Sequence, residues 1–343
     1  MQHEVKKWTP LLDEDGNLIE PGYATTMLYD YDRTDIKSNK LRIKEWDYYL
    51  IYNKEFALAL TIADNSYMGL ISASVINLKV GKEITKSVTR LFPMGKTNMP
   101  RTSSIGKTMV ATSKVGMCFD NNGKTRQLVF EFPKFENGQT LSGDILITNE
   151  PQDSIVTATP FEQDKHFYLN QKIVGFKANG YFKIGDTEVK FTSKDTRAIL
   201  DWGRGVWPYK ATWYWGAACG VLGDNEFGFN IGAGFGDTSK ATENMVFFKG
   251  EGHKLDIVTF NIPKNDKGKD DFLSPWTLSS NDGRFHMKFT PIIDRNANLN
   301  IGVLASIQHQ VFGKFTGFVV LDDGTKIHIK NFLGFVEKVF NKW

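Results

Sequence analysis

Residues 313–332 read GKFTGFVVLDDGTKIHIKNF, two apolar-patterned runs on either side of Asp323 and Gly324. An Asp-Gly pair favours a tight reversal, because glycine adopts positive φ without steric cost. After the pair, Ile327 and Ile329 alternate with polar residues, as a half-buried strand requires. The stretch therefore predicts a β-hairpin.

The same signature recurs along the chain. RFHMKF (residues 284–289) and LVFEF (residues 128–132) alternate in the same way. The spacing of Phe332, Val336 and Trp343 is helical, so the C-terminal segment predicts either a helix or a last strand. The other Asp-Gly and Asn-Gly pairs are Asp15-Gly16, Asn122-Gly123, Asn137-Gly138, Asn179-Gly180 and Asp282-Gly283. We predict an all-β, antiparallel protein with few helices.

The length predicts more than one β unit. A chain of 343 residues with 41% hydrophobic residues exceeds what one hydrophobic core usually holds. We expect an N-terminal unit over residues 1–200 and a C-terminal unit over residues 201–343. The boundary is approximate, and strands shared between the units remain an alternative.

Composition and motifs argue against several classes of partner and cofactor. The 42 basic and 39 acidic residues are interspersed and leave a net charge of +3, so we expect no nucleic-acid partner. The chain has two cysteines, no zinc-type histidine pair and no phosphate-binding loop, and we expect neither a metal nor a cofactor. No apolar run is long enough to span a membrane, and the first residues do not form a signal sequence. We expect a cytoplasmic protein.

Residues 201–216, DWGRGVWPYKATWYWG, are the densest aromatic stretch of the chain. Rigid aromatic area combined with an acid and an arginine is typical of ligand pockets, although aromatic strands also fill ordinary cores. Both interpretations remain open at this stage. The candidate ligand-binding residues of the segment are Trp202, Trp207, Tyr209, Trp213 and Trp215.

Asp201 and Arg204 are the candidate catalytic residues. Gly203, Gly205 and Pro208 predict a bulge or bend that would bring the two charged side chains to one side of the strand. Asp201 would then be an acid or base, and Arg204 an anchor for a carbonyl or an anion. The alternative is an ion pair that pins a loop.

Glu243 and Asn244 form a second polar group after the glycine run NIGAGFGD. The glycines do not predict a dinucleotide-binding loop, because the residues that follow predict a strand rather than a helix. Glu243 and Asn244 are candidates for hydrogen bonds to a ligand, with a turn-capping role as the alternative.

Five blocks in order resemble one family. They are LLDEDGNLIEPGYA (11–24), LRIKEWDYYLI (41–51), DWGRGVWPY with WYWG (201–209 and 213–216), GFNIGAGFGDTSKATEN (228–244) and GFVEKVFNKW (334–343). Together they resemble the domain of unknown function family 2804. More distantly, the layout is similar to the two-barrel lipocalin-like proteins, which include carotenoid hydratases, tocopherol cyclases and fungal Diels-Alderases. The resemblance implies two consecutive antiparallel barrels or sandwiches, with a ligand cavity in or between them.

These observations lead to one expectation about function and two alternatives. We expect a protein that binds a mostly apolar or amphiphilic small molecule against the tryptophans. Its enzyme version is a cofactor-independent lyase, hydratase or isomerase that uses Asp201 and Arg204. The alternatives are a non-catalytic small-molecule binding protein and a carbohydrate-binding or carbohydrate-processing protein.

Overall fold

The structure is a computed structural model that describes residues 2–300 and 302–343. Two single-turn 3₁₀ helices, Arg33–Asp35 and Lys40–Arg42, are the helical segments in this part of the chain. Strands form most of the remaining backbone, and all but one of the strand pairings are antiparallel. The all-β prediction is confirmed.

The first sheet has thirteen strands, and Thr9–Pro10 and Tyr29–Asp30 form a separate parallel pair of short strands. The strands of this half are β1 Thr9–Pro10, β2 Gly22–Ala24, β3 Tyr29–Asp30, β4 Ile43–Tyr52, β5 Phe56–Asp64, β6 Met68–Asn77, β7 Lys82–Leu91, β8 Gly106–Ala111, β9 Gly116–Asn121, β10 Arg126–Glu136, β11 Gln139–Thr148, β12 Ile155–Pro160, β13 Phe167–Ile184, β14 Thr187–Phe191 and β15 Arg197–Val206. The main path is β7-β6-β5-β4-β15-β13-β11-β10-β9-β8, with β12 and β14 also paired to β13, and β2 paired to β12.

The second sheet has nine strands in the order β19-β18-β17-β16-β24-β23-β22-β21-β20. They are β16 Lys210–Leu222, β17 Asn225–Ala233, β18 Met245–Phe248, β19 Glu251–Lys254, β20 Val258–Asn261, β21 Trp276–Ser280, β22 Phe285–Asn300, β23 Ala305–Val320 and β24 Lys326–Lys342. Both sheets curl into half-barrels, as expected of two lipocalin-like units.

Each half-barrel encloses its own hydrophobic core. In β10, Leu128 and Phe130 are buried in the first core, and the residues between them are less buried. In β22, Phe285, Met287 and Phe289 are fully buried in the second core, and the polar residues between them are exposed. The period-two alternation of the sequence thus decides which face of each strand is buried.

Two local expectations have a definite outcome. The C-terminal segment is strand β24 rather than a helix, because β16 and β23 pair with it on both sides. The Asn179-Gly180 pair lies inside β13 and is not a turn, so that turn prediction is wrong. The close approach of β13 to β11 requires a glycine at position 180. Its backbone has a φ of 144°, and a Cβ there would lie 2.1 Å from the Asp144 carbonyl oxygen.

A third group of buried side chains lies between the two sheets, and we call this contact the seam. It includes Tyr48 and Leu50 from the first sheet and Trp215 and Phe335 from the second. The chain passes from one sheet to the other between Val206 and Lys210, within the segment near which the approximate unit boundary is expected. The start of the tryptophan-rich segment is therefore the last strand of the first sheet.

Candidate functional site

Strand β15 determines where the two candidate catalytic residues point. It pairs with β4 and with β13 without a change of register from Asp201 to Val206. Side chains therefore alternate, so Asp201 faces the seam, whereas Trp202 and Arg204 face the inside of the first half-barrel. The predicted bulge is absent from β15, and the prediction of an Asp201–Arg204 pair is wrong.

The glycines of β15 make room for neighbours instead of bending the strand. A Cβ on Gly203 would lie 2.0 Å from Cζ2 of Trp46, because this indole lies over the glycine. A Cβ on Gly205 would lie 2.2 Å from the carbonyl oxygen of Phe167 on β13. The glycines therefore place an indole next to Asp201 on the seam.

Four ionisable side chains form what we call the carboxylate cluster: Lys172, Asp201, Glu243 and Glu337. Lys172 Nζ lies 2.6 Å from Asp201 Oδ1 and 3.9 Å from Glu243 Oε2. The same ammonium group lies 4.2 Å from the centre of the Trp215 ring. The side chains of Lys172 and Asp201 are 4% and 12% exposed, so most of the water around this ion pair is excluded.

Strand register explains the position of Asp201. In β13, β15 and β4, the residues Lys172, Asp201 and Tyr48 lie side by side in one row across the sheet. The second oxygen of Asp201 accepts a hydrogen bond of 3.1 Å from Nε1 of Trp46. Asp201 is thus held by an ammonium group on one side and an indole on the other.

Glu337 reaches the cluster from β24 of the second sheet. Its Oε1 accepts a hydrogen bond of 3.3 Å from Trp213 Nε1, and its Oε2 accepts one of 3.2 Å from Gln310 Nε2. Gln310 is also hydrogen-bonded to the hydroxyl of Tyr48 and accepts from Arg295. This network joins the two sheets across the seam.

Two carboxyl groups of the cluster hold their protons more tightly than usual. Burial raises the pKa of Glu337 to about 7, an effect that the Lys172 ammonium opposes and the Asp201 carboxylate reinforces. The pKa of Glu243 is also raised by burial, with the Lys172 ammonium opposing and the Asp201 carboxylate reinforcing this effect. Near pH 7 Glu337 is therefore divided between its protonated and ionised forms, as suits a group that donates a proton.

A group of aromatic rings centred on Trp207 lies at one end of the seam. The Trp207 centroid is 4.8 Å from that of Trp46 and 4.7 Å from that of Phe235. The other rings around Trp207 are Tyr168, Trp213 and Trp343. Trp215 packs edge-on against Tyr48 and Phe335 further along the seam.

Three predicted site residues lie away from the carboxylate cluster. Trp202 is in the first core, with the Arg204 guanidinium 4.0 Å from its ring centre. Arg204 is fully buried and pairs with Asp47 at 3.1 Å. Tyr209 is exposed, and its hydroxyl donates to the carbonyl oxygen of Val303. Of the predicted residues, the seam brings together Asp201, Trp207, Trp213, Trp215 and Glu243.

Asn244 and Glu243 take different roles although they are neighbours. Asn244 Oδ1 accepts from the backbone N–H of Gly232 at 2.6 Å, and its Nδ2 donates to the carbonyl oxygen of Asp256 at 2.8 Å. These bonds hold the loop between β17 and β18. Glu243 instead faces Lys172, as described above.

Sequence reasoning missed Lys172, Glu337 and Trp46. A signal was present, because NQKIVGF and GFVEKVF each place one or two charged residues in an otherwise apolar strand. Buried Lys and Glu are rare unless they are paired, so a lysine or glutamate in an apolar strand is a candidate site residue. Their partners come from distant strands, and the sequence does not show the pairing.

The described residues contain neither a metal-ligand cluster nor a membrane-spanning helix. Within residues 2–300 and 302–343, no three His, Cys, Asp or Glu side chains converge as a metal-ligand set. In the same part of the chain, no helix has the length and apolarity to cross a membrane.

The chain matches, over residues 2–343, the family described as Domain of unknown function (DUF2804). It belongs to this family. The resemblance drawn from the five sequence blocks is therefore confirmed. No curated protein matches the chain.

Solved structures with a similar fold support the two-barrel assignment. A Nitrosomonas europaea protein provisionally assigned as AttH has a TM-score of 0.56 at 10% identity, covering 90% of this chain and 96% of its own. CghA with Sch210972 has a TM-score of 0.52 at 10% identity, covering 97% of both chains. Kievitone hydratase from Nectria haematococca has a TM-score of 0.47 at 12% identity, covering 91% of this chain and 92% of its own. At such low identity, the first two similarities show the fold alone.

Proposed function

We propose that the seam binds a mostly apolar or amphiphilic small molecule and that the carboxylate cluster transfers protons in a lyase, hydratase or isomerase reaction without a cofactor. One observation carries the proposal. Two carboxyl groups, Asp201 and Glu243, lie 2.6 and 3.9 Å from the buried ammonium group of Lys172 beside several indoles, and a third, Glu337, reaches the same part of the seam from the second sheet. Such convergence of buried ionisable groups is typical of functional sites.

The two best-placed carboxyl groups take complementary roles. Glu337 is the proton donor, because a pKa of about 7 leaves it substantially protonated at neutral pH. Asp201 is assigned as the base because Lys172 and Trp46 hold its side chain at the seam. In an isomerisation, Glu337 gives its proton to one substrate atom and Asp201 takes a proton from another. In a hydration, the proton taken by Asp201 comes from water.

The role of Arg204 differs from our first hypothesis. Its guanidinium lies inside the first half-barrel and is paired with Asp47, so it does not anchor a ligand at the seam. Lys172 is the cation that faces the seam. We assign the neutralisation of a developing oxyanion to Lys172 and leave Arg204 a structural role.

A non-catalytic binding protein is the second candidate. Lys172 already neutralises Asp201 at 2.6 Å, and a site of this kind also serves to bind a ligand without turnover. A carbohydrate site is less favoured. Trp207 and Trp215 are only 6% and 4% exposed, so any ligand reaches their faces only where the seam opens, and contact with buried indoles favours an apolar ligand over a sugar.

A substrate panel with two variants tests the proposal. Native mass spectrometry would detect binding of amphiphilic alkenes, alcohols and ketones, and product analysis would detect gain of water, loss of water or isomerisation. Glu337→Gln and Asp201→Asn should keep binding and lose about 100-fold or more in turnover. Glu131→Gln, at an exposed position of β10, is the matched control and should keep full turnover.

The outcomes separate the candidates. Binding without turnover by the unaltered protein supports the non-catalytic candidate. Turnover that survives both substitutions removes the carboxylate cluster from the chemistry. Failure of every apolar or amphiphilic compound to bind contradicts the proposal as a whole.

A further inference from the structure

A cavity of about 230 Å³ opens at the other end of the seam, and we call it the far cavity. Its floor is formed by Tyr52, Cys219 and Phe332, all buried. Its rim carries Lys54 and Lys194, both exposed. It therefore combines an apolar interior with a charged entrance.

The far cavity is separate from the carboxylate cluster. On β4, Tyr52 faces the seam four residues after Tyr48, which corresponds to about 13 Å along a strand. Leu50, between them on the same face, is completely buried. A ligand in the far cavity would not contact Asp201 or Lys172.

The polar groups of the floor already have partners. The Tyr52 hydroxyl donates to the carbonyl oxygen of Cys219 at 3.0 Å and accepts from its backbone N–H at 2.7 Å. Arg197, which also lines the cavity, is paired with Glu226 through both Nε and Nη2. The floor thus offers apolar contact and requires no hydrogen bond from a ligand.

The rim carries uncompensated positive charge. Within the described residues, neither Lys54 nor Lys194 forms an ion pair within 4.0 Å, so both ammonium groups are available to a ligand. The one acidic residue among the lining side chains, Asp195, accepts hydrogen bonds from the hydroxyls of Thr192 and Thr196 and keeps its negative charge, so the two rim lysines exceed it by one positive charge. The entrance therefore favours an anion.

We propose that the far cavity binds a small amphiphilic carboxylate, with an aryl or short alkyl group on the floor and the carboxylate between Lys54 and Lys194. The size is suitable, since an apolar cavity of about 150 Å³ holds a benzene molecule and this one is larger. The inference does not depend on the proposed chemistry of the carboxylate cluster.

Three probes test the inference on the full chain by saturation-transfer NMR titration. They are 4-phenylbutyrate, its neutral amide and acetate. The phenylbutyrate should bind about 10-fold more tightly than either of the others, because the amide lacks the charge and acetate lacks the apolar group.

Reversing the charge of the two rim lysines tests whether the ligand binds at the far cavity. Lys54→Glu combined with Lys194→Glu should weaken phenylbutyrate binding by about 10-fold or more. Lys124→Glu combined with Lys267→Glu changes the net charge equally at exposed positions outside the cavity and should leave affinity within about 2-fold. Equal affinity for acid and amide, or equal losses in the two double variants, would overturn the inference. So would the absence of phenylbutyrate binding.

Discussion

Replacing Glu337 with glutamine should flatten the dependence of the unfolding free energy on pH. Burial moves the pKa of Glu337 from 4.5 to about 7, and each factor of ten in proton affinity corresponds to about 1.4 kcal/mol. The native carboxyl binds a proton more tightly than the unfolded one. The contribution of Glu337 to stability is therefore fully present below pH 4.5 and is lost as the pH rises through 7. The total loss is about 3 kcal/mol.

Glutamine cannot titrate, so the Glu337→Gln variant should not show this loss. It also disturbs one of the two hydrogen bonds from Trp213 and Gln310, which adds a pH-independent cost of about 1 kcal/mol. The variant should thus be slightly less stable than the unaltered protein at pH 4.5 and more stable at pH 7.5. The informative quantity is the difference between the two proteins as a function of pH.

Urea unfolding at pH 4.5, 5.5, 6.5 and 7.5 measures that difference. Glu131→Gln is the control, because its side chain is exposed on the outer face of β10 and the stability difference should stay constant. Parallel profiles for the unaltered protein and Glu337→Gln would refute the reasoning. They would mean that Glu337 is solvated or otherwise ionised in the native protein, and the assignment of Glu337 as proton donor would fail with it.

Three other substitutions test the packing beside and behind the seam by urea unfolding. Burial lowers the pKa of Lys44 to about 7, so the unfolding free energy should rise as the pH increases from 7 to 10.5. Lys44→Met should therefore stabilise the protein at pH 7 by about 2–4 kcal/mol and give no gain above pH 10.5. Gly203→Ala should cost about 3 kcal/mol, because its Cβ would meet the Trp46 indole, and an unchanged midpoint would contradict that placement. Arg204→Met should cost about 3–5 kcal/mol by leaving the Asp47 carboxylate buried without its cation, whereas a loss below about 1 kcal/mol would argue against the buried pair.

Local patterns were sufficient to predict the fold class. The Asp323-Gly324 pair connects β23 and β24, and strands such as β22 bury alternate residues as their sequences indicate. These features depend only on neighbours within a few residues, which the sequence displays directly. The Asn179-Gly180 pair was misassigned because the same dipeptide suits a turn and a close approach between strands.

The site depended on contacts that no local pattern contains. Strict alternation would have placed Asp201 and Arg204 on opposite faces, but the intervening Gly203 indicated a bulge. The glycine is instead required by Trp46, which lies on another strand and far away in the chain. In the same way, Lys172 becomes a partner of Asp201 only through the register of β13 on β15. The sequence contains both residues and does not reveal their alignment.

The position of the carboxylate cluster links the fold to the chemistry. Lys172 and Asp201 belong to the first sheet, and Glu337 belongs to the second. The side chains of the cluster lie at the contact between the sheets, outside the two half-barrel cores. Burial at that contact raises the pKa of Glu337. A ligand that separates the sheets would admit water and lower this pKa. A ligand that fills the seam and excludes water would keep the pKa raised. The proposed binding in the seam and the proposed proton donation by Glu337 would thus both depend on the contact between the two sheets.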